Sequence, residues 1–335
     1  MTFQNLDAQA VRICDRAAGA WWERRGHGES AVPLGVIAAL CLADGIDGRA
    51  LLAAGDDEIV RGMGLAWAQF WLRRPDLCIR CGPLADWLND DPLDSELVRA
   101  AAAVARAAVR AGICDLLGRG ALHDIDLLGH AYIAMRPRSA AQARGEFYTP
   151  PALCDLIARM TLTGDLQPGM SIAEPAAGTG GMLRAAAQLL RERGQDPGDY
   201  WWIVNDISPL VTAALAVNCH LWGLGARVVI RAADTLADPD WQASAWAEQR
   251  EAVKKRDALV GTATMLAVIS DTERLVAEAA APEAAPPGAP QDRGSRPASA
   301  RSRPGGRRPS GPRPAARRRA AARRRPAAGE AAPES

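Results

Sequence analysis

Phenylalanine and tyrosine are scarce in this 335-residue chain, three of each, although tryptophan occurs ten times. No apolar run approaches the ~18 residues that a membrane span needs, so no membrane partner is expected. The start, Met1-Thr2-Phe3-Gln4-Asn5-Leu6-Asp7, has neither a basic beginning nor an apolar core, so no secretion signal is expected. The seven cysteines are odd in number and scattered, which fits a reducing cytoplasm rather than a disulfide framework. Asn-Pro occurs nowhere in the chain.

The net charge of +1 hides an uneven distribution. From Pro282 onward there are 13 Arg, no Lys and 4 acids, so the remainder holds 27 of the 40 basic residues and 35 of the 39 acidic ones. The body is acidic, and it offers no bulk electrostatic case for neutralising phosphates. Of the 54 residues in 282–335, 49 are Ala, Pro, Gly, Ser or Arg. Such a segment buries too little apolar surface to offset its chain entropy, and a disordered tail is expected. Those five residue types share GC-rich codons, and one hypothesis is translation past a truncation or frameshift. An intact reading frame with the same tail in close relatives would argue against it.

Four regions are expected. Residues 1–144 read as a helical N-terminal domain of about four to six helices, with Asp57–Leu72 and Ser95–Leu117 as apolar-periodic segments and Asp94 or Ser95 as a cap. From 145 to 240 short strands alternate with helices, the texture of a parallel α/β sheet. Strands are expected at 171–173, 201–204 and 227–230, and helices at 151–160, 182–193 and from Ser208-Pro209 to Leu221. Residues 241–281 read as one or two helices with Leu259, Leu266 and Ile269 on one face and Val260 beside it. The tail, 282–335, completes the chain.

Two segments carry the chemistry. Glu174-Pro175-Ala176-Ala177-Gly178-Thr179-Gly180-Gly181 follows the first strand and opens a helix. Missing Cβ atoms at such a turn let a nucleotide-shaped ligand approach the backbone. A glycine turn alone is also common packing hardware in α/β proteins. Gly145-Glu146-Phe147-Tyr148-Thr149-Pro150 stands some two dozen residues upstream; its bland reading is a packing anchor. Asn205-Asp206 ends the second strand, where an acid can accept from ribose hydroxyls or be a solvated loop acid. Ala233-Asp234-Thr235-Leu236 follows the third.

Taken together these segments, with Asp126-Leu127-Leu128-Gly129-His130-Ala131-Tyr132 upstream, resemble the adenine-N6 DNA methyltransferases of the type I restriction-modification modification-subunit family. The likeness covers residues from about 124 to 236. It implies a Rossmann-like methyltransferase core binding S-adenosyl-L-methionine, with DNA as substrate and a specificity or endonuclease subunit as a partner. It implies that Glu174, Pro175, Ala177, Gly178, Thr179, Gly180 and Gly181 wrap the methionine part, and that Phe147, Tyr148, Thr149 and Pro150 close over the cofactor. Asp206 would take the ribose and Asp234 the adenine amine. The family usually has Asp where Glu174 stands and often Cys where Ala177 stands.

One family element is not found. Methylating adenine requires an Asn or Asp and a Pro carbonyl to hold the amine, with an aromatic stacked on the flipped base. Asp238-Pro239-Asp240-Trp241 is the nearest imitation, only four residues past Asp234 and without a preceding strand; a surface turn is the expected reading. No catalytic residue is therefore assigned. A non-catalytic cofactor-binding subunit or regulator, or an inactive truncated product, stays open as an alternative to the enzyme. Cys78-Ile79-Arg80-Cys81 lacks a second pair at zinc spacing, so no metal is expected.

Overall fold

The computed structural model describes residues 3–26, 29–136, 148–238 and 240–280. Phe147, its upstream neighbours and the tail lie outside them.

The N-terminal region is helical throughout: α1 (Phe3–Arg25), α2 (Ala31–Leu42), α3 (Gly48–Ala53), α4 (Asp56–Arg73), the single turns α5 (Pro75–Cys78) and α6 (Gly82–Ala85), α7 (Ser95–Arg110), α8 (Ile113–Gly118) and α9 (Leu127–Ala134). α2 is apolar on every side, and residues 32–42 are buried without exception, the pattern of a helix enclosed by others. Gly35 allows the approach: a Cβ there would collide with the Leu84 carbonyl of α6. Asp94 caps α7 by accepting from the Glu96 amide at 3.0 Å, as expected. The periodic stretch 95–117 is not one helix, however. Gly112 adopts φ +98° and divides it into α7 and α8, because a left-handed residue ends the i→i−4 ladder.

Then comes α10 (Pro151–Thr161), β1 (Ser171–Glu174), α11 (Gly181–Glu192), β2 (Trp201–Asp206), α12 (Pro209–Leu221), β3 (Val228–Ala232) and α13 (Trp241–Ala280). The strands form one parallel sheet in the order β1-β2-β3, with Ser171 opposite Trp201 and Trp202 opposite Val228. All three therefore end on the same side, where Glu174, Asp206 and the 233–236 loop gather. Ser208 caps α12 with Pro209 at its first position, which fixes how the chain leaves β2. The central α12 is almost wholly buried, from Val211 to Cys219. One apolar core runs from α1 through α12 to β2 and β3, with Trp21, Trp202 and Trp222 fully buried.

The segment after β3 is a single 40-residue helix. Its first turns pack on the sheet: Trp241 and Ala245 bury Val229, and Gln249 donates to the Val228 carbonyl at 2.9 Å. Beyond Ala252 no described residue is buried. Leu259, Leu266 and Ile269, expected on one face, are 51%, 61% and 47% exposed.

Candidate functional site

The loop after β1 is held open by conformation and by anchors. Gly178 (φ +57°) and Gly180 (φ +97°) are both left-handed, a region that costs any other residue strain. Gly180 is further constrained by packing, since a Cβ would lie 2.6 Å from Leu215 and 2.8 Å from Trp222. The Ala177 amide donates to the Asn205 carbonyl at 2.9 Å. The Gly178 amide donates to Asp206 Oδ2 at 2.9 Å, and Asp206 Oδ1 accepts from the Ser208 amide at 2.9 Å.

Thr179 is buried where it borders the cleft. Its hydroxyl donates to Asp126 Oδ2 at 2.7 Å, while Asp126 Oδ1 accepts from the Gly129 amide at 2.8 Å and from Asn218 Nδ2 at 2.7 Å. Asn218 also donates to the Thr179 carbonyl at 2.8 Å. One half-buried carboxylate thus caps α9 and ties it to the glycine loop and to α12. Burial pushes the Asp126 carboxyl above the ordinary carboxylate range, and the bonds from Thr179 and Gly129 oppose that shift.

A second clamp joins the loops after β1 and β3. Asn205 Nδ2 donates to the Ala233 carbonyl and to Thr235 Oγ1, both at 2.7 Å, and the Thr235 hydroxyl donates to the Pro175 carbonyl at 3.0 Å.

These elements enclose a cleft of about 390 Å³ at the ends of β1 and β2, within the range of small-molecule sites. Among the expected residues, Tyr148, Thr149, Ala177, Gly178, Thr179, Gly181 and Asp206 line it. Tyr148 stands over the loop, its Cε1 3.8 Å from where a Gly178 Cβ would be, and its ring meets Tyr132 at 5.8 Å. Arg184 of α11, 2% exposed, donates to Asp155 of α10 at 2.5 Å, holding the helix that follows Tyr148 and Thr149.

Other expected residues stand outside the lining. Pro150 starts α10, and Pro175 and Gly180 shape the loop from behind. Glu174 Oε1 accepts from the Ala176 amide at 3.1 Å. Asp234 is exposed, with Oδ1 accepting from the Leu236 amide at 2.9 Å. Phe147 lies outside the described residues.

Sequence reasoning missed several lining groups: Asp126, Cys154, Met182, Ile207, Ser208 and Val211. Met182 and Val211 occupy the first turns of the helices leaving β1 and β2, which is where a sheet-end cleft draws its walls. The described lining carries two carboxylates, Asp126 and Asp206, and no Lys, Arg or His.

Trp241 is 5% exposed and packed on Val229, so its ring is not free to stack on a base. Cys81 is buried with its thiol pushed up by desolvation, and no group of metal-ligating side chains occurs among the described residues. Nor is any described helix long and apolar enough to cross a membrane.

No curated protein matches the chain. Residues 123–261 do match a family, N-6 DNA Methylase; the span begins just ahead of Asp126 and takes in the cleft, the sheet and the first half of α13. The match supports a DNA adenine methyltransferase and gives no support to a non-catalytic subunit or an inactive product. Over these residues the chain is similar to the adenine-N6 DNA methyltransferases.

Proposed function

We propose that the cleft binds S-adenosyl-L-methionine and that the chain is an adenine-N6 DNA methyltransferase of a restriction-modification or related defence system, of the type I modification-subunit kind. In this reading β1 to β3 are the first half of a Rossmann-like methyltransferase core. The observation that carries it is the pairing of a left-handed Gly178-Thr179-Gly180 turn with the Asp206 carboxylate across one cleft.

The charge of the lining favours this ligand over a dinucleotide. A pyrophosphate calls for basic groups or a free ring of amides, whereas the described lining is acidic. A sulfonium with an α-ammonium group is cationic at one end and suits it. Gly178 and Gly180 keep the wall bare where the methionine part would lie. Asp206 has lone pairs left for ribose hydroxyls after accepting from Gly178 and Ser208. Tyr148 and Thr149 would cover the cleft, with Pro150 after them at the start of α10, and Asp234 would meet the adenine amine. The bound cofactor would supply an electrophilic methyl group; the chain's part is to position it and keep water out.

Calorimetry with purified full-length chain tests the reading. Micromolar-range binding of S-adenosylmethionine is expected, with Gly178→Asp reducing it by roughly a hundredfold, since the new carboxylate needs a left-handed backbone and fills the wall. Unchanged binding by that variant would remove the assignment. Transfer of labelled methyl to unmodified DNA, with and without neighbouring gene products such as a specificity or endonuclease subunit, tests the enzyme.

A further inference from the structure

A second hollow lies at the opposite end of the sheet and carries the opposite charge. Ala226 stands two residues before β3, and Trp246 of α13 meets the ring of Trp201, the first residue of β2, at 4.9 Å. With the turn from α4 into α5 they frame a hollow of about 470 Å³, a size that suits a small molecule. The glycine-loop cleft is at the other end of β2, about 16 Å away by the rise of a strand. Arg136 and Tyr148, the described residues that flank 137–147, stand beside Tyr132 at that cleft end.

The walls of the hollow divide by chemistry. Pro75, Ala226, Trp246 and Val253 supply apolar surface. Arg73, Arg74, Arg250, Lys254 and Arg256 face it as well, against one acid, Asp76. Part of this charge is neutralised locally. Arg74 lies 2.7 Å from Asp76, and Arg73 pairs with Asp44. Arg256 pairs with Asp257 at 2.6 Å and donates to the Leu72 carbonyl at 2.7 Å. Arg250 and Lys254 are exposed, and neither meets a partner among the described residues. Five cations against Asp44, Asp76 and Asp257 leave two positive charges that the fold does not use. The field reaches His220, whose pKa is lowered by burial and then by Arg74 and Arg73. Two free cations on a helix are ordinary. Here they follow Trp246 at four-residue spacing on one face of α13, at the rim of an apolar hollow backed by three more guanidinium groups, in a body that is otherwise acidic.

We infer that this hollow binds a nucleoside polyphosphate, with its ring on Trp246 and its phosphates against Arg250 and Lys254. Phosphate oxygens match the fork of an arginine and the point charge of a lysine. Bases pack on aromatic side chains whatever their identity. A duplex keeps its rings stacked inside and shows Trp246 none. An unpaired strand carries the same base-and-phosphate chemistry, and the experiment separates it from the free nucleotide. The glycine-loop cleft, with Asp126 and Asp206 and no Lys, Arg or His in its described lining, repels such phosphates. The inference therefore stands apart from the cofactor reading.

Calorimetric titration of the full chain with ATP, at high S-adenosylmethionine concentration, is the test; stacking tolerates any base, so ATP serves as the probe. Binding at one site is expected. Arg250→Gln with Lys254→Gln, both at exposed positions, should weaken ATP at least roughly tenfold, the worth of a hydrogen bond between charged groups, and leave S-adenosylmethionine untouched. Adenosine and inorganic tripolyphosphate each lack half of the ligand and should each bind at least roughly tenfold more weakly than ATP. Absence of ATP binding, or equal affinity for tripolyphosphate, would overturn the inference. So would ATP binding that survives the double variant, which belongs to the Arg-rich segment 282–335, or that S-adenosylmethionine competes away, which belongs to the cleft. A short thymidine oligonucleotide that binds more tightly than ATP and weakens in the same variant would replace the free nucleotide with an unpaired strand. ATP binding lost in the variant, with no binding of S-adenosylmethionine, would sink the cofactor reading and leave this site standing.

Discussion

The loops after β1 and β3 meet at the same end of the sheet, yet they are built on different terms. The glycine loop is fixed from three sides, by Asp126 beneath Thr179, by Asn218 from α12, and by Asp206 on the Gly178 amide. The 233–238 loop is attached through Asn205 and Thr235, while Asp234 is exposed and Leu236 is 96% exposed. The first is preorganised, which spares a ligand the cost of ordering it. The second has acceptors but few walls. Binding energy at this site should therefore reside in the first loop, and substitutions in the two should differ in kind.

The largest effect is expected where the first loop touches the core. Gly180→Ala places a methyl 2.6 Å from Leu215 and 2.8 Å from Trp222 on a residue with φ +97°. Overpacking and backbone strain together cost about 3 kcal/mol, a fall in Tm of roughly 6–12 °C, readable by calorimetric melting. A melting temperature within a degree of the parent would show that the loop yields, and the contrast with its neighbour would dissolve.

Asp126 comes next. Asp126→Ala orphans the Thr179 hydroxyl, the Gly129 amide and one Asn218 donor, at about 2 kcal/mol after the relief of a desolvated charge. The pH dependence separates this residue from generic damage. Its folded pKa is raised, so between the unfolded and folded values the native state holds the proton more firmly. There the Asp126 contribution to stability falls as pH rises, opposite to an ion-paired carboxylate. Asp126→Asn should remove that slope, so the gap between variant and parent, followed by melting across the acidic range, shifts in the variant's favour as pH climbs. A constant gap would mean that Asp126 does not titrate in this way.

Legibility in the sequence followed the range of the interactions. β1, β2 and β3 could be read because short apolar runs sit between Gly, Pro and Asp turns, and Ser208-Pro209 announced α12 locally. Gly112 inside an Ala-rich periodic stretch was outvoted by the periodicity, though its left-handed conformation decides the break. Asp126 was visible only as part of an upstream helix. Its bonds to Thr179 and Asn218 span 53 and 92 positions, and no local pattern encodes such a meeting. Glu174 and Asp234 illustrate the converse: each sits at an expected strand end, yet each carboxylate accepts from its own loop.

The smallest effect is expected at Asp234, and it discriminates best between the two loops. The side chain is exposed and makes one local bond to the Leu236 amide at 2.9 Å, so Asp234→Ala should change stability by no more than about 0.5 kcal/mol. If Asp234 accepts from the adenine amine as proposed, the variant should weaken S-adenosylmethionine binding by roughly tenfold, the worth of one hydrogen bond to a charged acceptor. Methylthioadenosine should lose affinity by the same factor, while methionine, which lacks the base, should bind variant and parent alike. Equal losses for all three ligands would place the residue's influence in the shared architecture of the sheet end and not at the adenine. No loss for any of them would leave the second loop without a part in cofactor binding, and its Asn205 clamp would then serve only to brace Pro175 behind the glycine turn.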